Sequence, residues 1–132
     1  MADRYHELHE LSLRFLDAFN GNDLDAVMAF FSDDARYEEL NGRISRGRAA
    51  IRTAFEPQFA GKFGRMQFDE DDTFIDADSG KVMSSWELRI TKDAGEVILQ
   101  GLDLLHFADR LIVRKQTYCK AQSALYLAAG AA

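Results

Sequence analysis

The chain has 132 residues, with 16 basic and 22 acidic side chains and a formal net charge of −6, a size that forms one domain over residues 1–132. Its 47% hydrophobic and 11% aromatic content supplies a packed core and excludes a disordered chain. The acidic balance with no run of Lys or Arg argues against nucleic acid, no apolar stretch approaches the about 20 residues of a membrane helix, and the single Cys119 fits a reducing cytosol without an internal disulfide.

Met1 to Glu7 lack the apolar core of a signal peptide, so a cytoplasmic protein is expected. Leu8, Leu11, Phe15 and Phe19 recur at spacings of three and four, which predicts a first helix with one apolar face. Asn20-Gly21-Asn22 ends it. Asn22 or Asp23 caps a second helix carrying Leu24, Val27, Met28 and Phe31, closed by Ser32-Asp33-Asp34. Ala35 to Leu40 and Arg43 to Arg46 read as two short strands joined by a two-residue Asn41-Gly42 hairpin turn. Gly47 opens a third helix with Ile51, Ala54, Phe55 and Phe59 on one side, and Pro57 should kink or stop it near Glu56.

After Gly64 the apolar period changes from 3.6 to 2. Three strands joined by short turns follow from Met66 to Ile75, Lys81 to Thr91 and Glu96 to Phe107, with Val82, Ser84, Trp86, Leu88 and Ile90 sharing one face. A last strand runs from Arg110 to about Tyr126, and residues 127–132 read as a frayed tail. Helices first and a long antiparallel meander second predict an α+β fold, helices on one face of a curved sheet, with a hollow between them for a small molecule.

Three segments add specificity: Phe15-Leu16-Asp17-Ala18-Phe19-Asn20-Gly21-Asn22-Asp23-Leu24-Asp25-Ala26-Val27, Phe31-Ser32-Asp33-Asp34-Ala35, and Arg46-Gly47-Arg48-Ala49-Ala50-Ile51. They resemble the nuclear transport factor 2-like superfamily, and within it the ketosteroid isomerase and SnoaL-like polyketide cyclase branches. The resemblance implies a cystatin-like roll: a cone of strongly curved, mostly antiparallel sheet wrapped around the N-terminal helices, often paired as a homodimer through the sheet's outer surface. It specifies fold well and activity poorly, because the superfamily includes isomerases, cyclases, epoxide hydrolases, dehydratases and proteins with no chemistry.

Asp103 is the first catalytic candidate. By strand alternation it shares a face with Val97, Leu99, Leu105 and Phe107, an acid in an apolar row whose burial penalises its charged form unless a donor compensates. The resemblance places here the isomerase's protonated Asp, which donates to the substrate oxyanion. The competing reading is a structural or dimer-contact role. Glu39 is the second candidate, at the position of the isomerase's proton-shuttling Asp, with Glu38 on the opposite face. A solvated edge beside Arg36, Arg43 and Arg46 is the alternative. Phe15 stands where the isomerase has its oxyanion-donating Tyr, and the loss of such a donor, worth about a hundredfold or more, argues against a true ketosteroid isomerase.

On the last strand Ile112, Arg114, Gln116 and Tyr118 share a face. If it points inward, Arg114, Gln116 and Tyr118 bring a cation, an amide and a phenol to Asp103 and bind substrate. If outward, they are solvated. Phe15, Tyr37, Phe55, Phe59 and Trp86 read as pocket wall or as core. His6, His9 and Glu10 have no third ligand nearby in sequence, so no metal is expected, and no nucleotide or phosphate motif calls for a cofactor. His106 alternates away from Asp103, and Cys119 reads as a packed thiol. The expectation is a cofactor-independent enzyme performing acid/base chemistry on a carbonyl-containing or cyclic hydrophobic substrate. The alternative is a non-catalytic ligand-binding or dimerisation module.

Overall fold

In the computed structural model, which describes residues 3–120, the apolar stripe of the first segment winds into α1 (Arg4–Asn20), capped by the Asp3 carboxylate accepting from His6 N–H. Leu8, Leu11 and Phe15 bury its inner face. α2 (Leu24–Met28) is capped in the same way by Asp23. β1 (Phe31–Glu38), β2 (Ile44–Arg46), α3 (Arg48–Phe59), β3 (Arg65–Asp76), β4 (Lys81–Lys92), β5 (Gly95–Ala108) and β6 (Leu111–Cys119) follow.

The strands form one six-stranded sheet in the order β2-β1-β6-β5-β4-β3. Among the described residues only the β1–β6 pair is parallel. Among the described residues the sheet does not close on itself, and β2 and β3 are its edges. Asn20, at the end of α1, engages the β3 edge: its side-chain amide donates to Phe68 C=O at 2.8 Å and accepts from Phe68 N–H at 2.8 Å. This imitates one step of a strand ladder. The core lies between the helices and the sheet, built from Leu8, Leu11, Phe15, Val27, Ile51, Phe55, Val82, Leu105 and Ile112. Among the described residues no helix is long and apolar enough to cross a membrane.

Four local expectations are corrected. The second helix stops at Met28, and Phe31 opens β1 instead, because it pairs with Ile112 while Ile112 N–H donates to Phe30 C=O at 2.7 Å. The hairpin loop has three residues: Glu39 N–H bonds Arg43 C=O and Gly42 N–H bonds Glu39 C=O, with Gly42 at φ +86°. This is the left-handed position that a type I turn plus bulge requires. Pro57 does not stop α3 near Glu56. It sits in the last turn, where one lost donor is tolerated, and Ala60 N–H still closes on Glu56 C=O.

The fourth correction concerns phase. On β6 the partner of Phe107 is Ile112 and that of His106 is Arg114, so Val113 is an extra, bulged residue. Ile112 is buried, but beyond the bulge the inward residues are Lys115 and Thr117. β6 is described to Cys119; the expected continuation to Tyr126 and the 127–132 tail lie outside the described residues.

Candidate functional site

Between the sheet and the helices lies a cavity of about 480 Å³, within the range of small-molecule sites. Strict alternation along β4 turns Ser84, Trp86, Leu88 and Ile90 into it, as expected, and β5 contributes Leu99, Asp103 and Leu105. Phe15 and Phe19 of α1, Tyr37 and Phe68 of the sheet, and Phe55 of α3 complete an aromatic wall. Phe19 and Phe55 meet edge to face, while Tyr37 stacks on Phe55 with centroids 4.8 Å apart. Phe59, expected in the wall, is not among the lining residues; it packs against Phe19 and Phe55.

Asp103 sits mid-sheet, opposite Ser84 on β4 and Thr117 on β6. Its Oδ1 accepts from Lys115 Nζ at 3.0 Å and Thr117 Oγ1 at 2.7 Å, and its Oδ2 accepts from the Trp86 indole N–H at 3.1 Å. Trp86 reaches it because its cross-strand partner is Gly101, over which the ring lies. Lys and Trp can only donate, and Thr117 Oγ1 already accepts from Lys115 at 2.7 Å. Each of the three partners is thus placed to donate to Asp103.

Lys115, which the sequence pattern did not single out, is the buried cation of the site. Its side chain is 5% exposed, and its ammonium lies 4.5 Å from the Tyr37 ring centroid and 5.7 Å from that of Phe55. Burial pulls its pKa down, but the Asp103 charge, with Tyr37, Glu39 and the hydrogen bond to Asp103, more than reverses this, so Lys115 holds its proton above the ordinary lysine range. Two of its three N–H groups go to Asp103 and Thr117. Burial pushes the Tyr37 phenol up, against the opposing pull of Lys115, so Tyr37 keeps its O–H.

Glu39 also lines the cavity, and its Oε2 is buried with no hydrogen-bond partner. Glu38 alternates to the other face, where Arg114 and Arg36 hold it. The Val113 bulge puts Arg114, Gln116 and Tyr118 on that outer face too, and none of them lines the cavity: Arg114 pairs with Glu38, and Gln116 bonds His106 and the Tyr118 hydroxyl. Lys115 and Thr117 occupy the role proposed for them. The signal in the sequence was one lysine in mid-strand, visible only with the correct phase. His6 bonds Asp3, and among the described residues no group of three or more His, Cys, Asp or Glu is placed to hold a metal ion. Burial raises the Cys119 thiol pKa.

An open, mostly antiparallel sheet carrying N-terminal helices over a lined hollow defines the nuclear transport factor 2-like class of fold. Residues 13–115 match the SnoaL-like domain family, and the chain belongs to it. No curated protein matches the chain. Among solved structures, it is similar to a protein assigned as a polyketide cyclase from Xanthomonas campestris pv. campestris, at 22% identity and TM-score 0.76, covering 88% of this chain and 92% of that one. It is similar at 22% identity and TM-score 0.75 to an NTF2-like protein of unknown function from Mesorhizobium loti, covering 92% and 97%. The epoxide hydrolase/cyclase-like enzyme SalBIII, described in pyran ring formation in the polyether salinomycin, aligns at 17% identity and TM-score 0.77, covering 87% and 92%. At these identities the likeness establishes the fold alone.

Proposed function

We propose that the chain is a cofactor-independent small-molecule enzyme that moves a proton at a carbon next to a carbonyl in a cyclic, hydrophobic substrate. The observation that carries this reading is the pairing, in one aromatic cavity, of an unpartnered buried carboxylate oxygen on Glu39 with a buried cation, Lys115, held by Asp103. Glu39 takes the proton from carbon, and the C–H electron pair shifts toward the carbonyl oxygen. The remaining Lys115 N–H, with the Tyr37 hydroxyl, stabilises the enolate oxygen. The Glu39 carboxylic acid then returns the proton to carbon, or gives it to the alkoxide formed when the enolate attacks a second carbonyl of the substrate and closes a ring. A positioned base contributes about 10²–10⁴-fold, and an oxyanion donor about 10²–10³-fold. Asp103, with every partner a donor, acts as a positioning residue. Phe15 offers no hydroxyl, so Tyr37 supplies the phenol from a different element.

Deuterium incorporation from D₂O into 2-tetralone, followed by NMR above the buffer background, tests this. Wild type should accelerate exchange, and Glu39→Gln should lower the rate by about a hundredfold or more with the melting temperature retained. Equal rates for the two proteins would remove the base from the scheme. Exposed Phe74, Ile98 and Tyr118 on the outer sheet face support a homodimer through that face as part of the same proposal, to be checked by light scattering.

A further inference from the structure

The mouth of the cavity is built from two loops, the β1–β2 turn with Leu40, Asn41 and Arg43, and the α3–β3 connection with Lys62 and Phe63. Leu40 and Phe63 are exposed apolar side chains, and each has a cation close by in sequence. Neither Arg43 nor Lys62 makes an ion pair with an acidic side chain among the described residues, whereas inside the cavity Lys115 and Asp103 neutralise each other. Counting Glu39 as well, the charged lining residues Glu39, Asp103, Arg43, Lys62 and Lys115 sum to +1. The mouth is thus locally positive on a chain of net charge −6. With a screening length of about 8 Å at physiological salt, these two near charges outweigh the distant negative surface for any group at the rim.

We infer that the site takes an anionic amphipathic ligand, with a flat, ring-bearing body against the aromatic wall and an acidic group held at the mouth between Arg43 and Lys62. This rests on the cavity holding a small molecule but not on proton transfer. Arg and Lys suit a carboxylate-class anion, Arg through paired donors and Lys as a point charge. Together with the buried cation, the rim selects a substrate carrying an acid at one end and a carbonyl at the other, rather than a neutral hydrocarbon-like ketone.

The matched dyes 1-anilinonaphthalene-8-sulfonate and N-phenyl-1-naphthylamine test it, because they share one ring system and differ in the anion. Each should displace the other, showing one site. The double variant Arg43→Gln/Lys62→Gln should lower the affinity for the sulfonate about fivefold, the scale of two exposed ion pairs, and leave that for the neutral dye within twofold. Added salt should erase the difference between wild type and variant. An unchanged ratio of the two affinities in the variant would overturn the inference even if ketone exchange were observed. A changed ratio without exchange would support it and count against the enzymatic reading alone. Binding of neither dye would overturn the inference and leave the enzymatic reading to the exchange experiment.

Discussion

Lys115 on β6 reaches forward along its strand, past Thr117, to place Nζ 3.0 Å from Asp103 Oδ1 on β5, and both side chains are nearly closed off from solvent. Each group makes the other's burial tolerable. A buried pair contributes little net stability over well-packed apolar residues, but breaking it strands an uncompensated charge. Asp103→Leu and Lys115→Met should each cost about 3 kcal/mol or more, whereas the double variant should lose much less than the sum. Urea unfolding of the four proteins measures this, and additive losses would show that the pair is uncoupled. The same dependence appears in the reaction: with Asp103→Asn, burial dominates Lys115, so the alkaline limb of the exchange rate should move to lower pH.

On the outer face, the hydrogen bond from Arg114 holds the Glu38 carboxyl below its ordinary value of 4.5, with burial opposing and Arg36 assisting. Because the folded pKa lies below the unfolded one, this pair stabilises the fold above about pH 4.5 and loses its contribution as pH falls through the folded value. Arg114→Gln should therefore be less stable than wild type at neutral pH, and the gap should close toward pH 3. Unfolding free energies across that range check the sign; a gap that stays constant would assign the loss to packing.

Gly101 admits the Trp86 ring to Asp103. A Cβ there would lie 2.5 Å from Trp86 Cη2 and also collide with backbone, so Gly101→Ala must displace the ring or the strand. The expected cost is about 1–3 kcal/mol, the scale of overpacking. Trp86 is the only tryptophan, so its emission should shift to longer wavelength as the indole leaves its buried seat. Unchanged emission and stability would contradict the packing described.

Much of this was legible in the sequence. Spacing of Leu8, Leu11 and Phe15 placed α1, and alternation along Ser84, Trp86, Leu88 and Ile90 gave the inner face of β4. Asp103 was selected because an acid in an apolar row is visible in one dimension, and Glu39 through the resemblance to the isomerase's proton-shuttling Asp. Arg114, Gln116 and Tyr118 were placed by the same alternation, which one bulged residue at Val113 inverts. No local feature marks that bulge, because it arises from how β6 meets both β5 and β1. Lys115 was hidden for the same reason, and its significance depends on partners many residues away on β1, β5 and α3.

The most direct test is the structure of the complex with 2-naphthol, the aromatic counterpart of the enol of 2-tetralone. The naphthol ring should lie between Phe55 and Trp86, with its oxygen within about 3 Å of Lys115 Nζ and C1 facing the Glu39 carboxylate. A naphthol bound outside the cavity, or one with its oxygen turned away from Lys115, would contradict the proposed function.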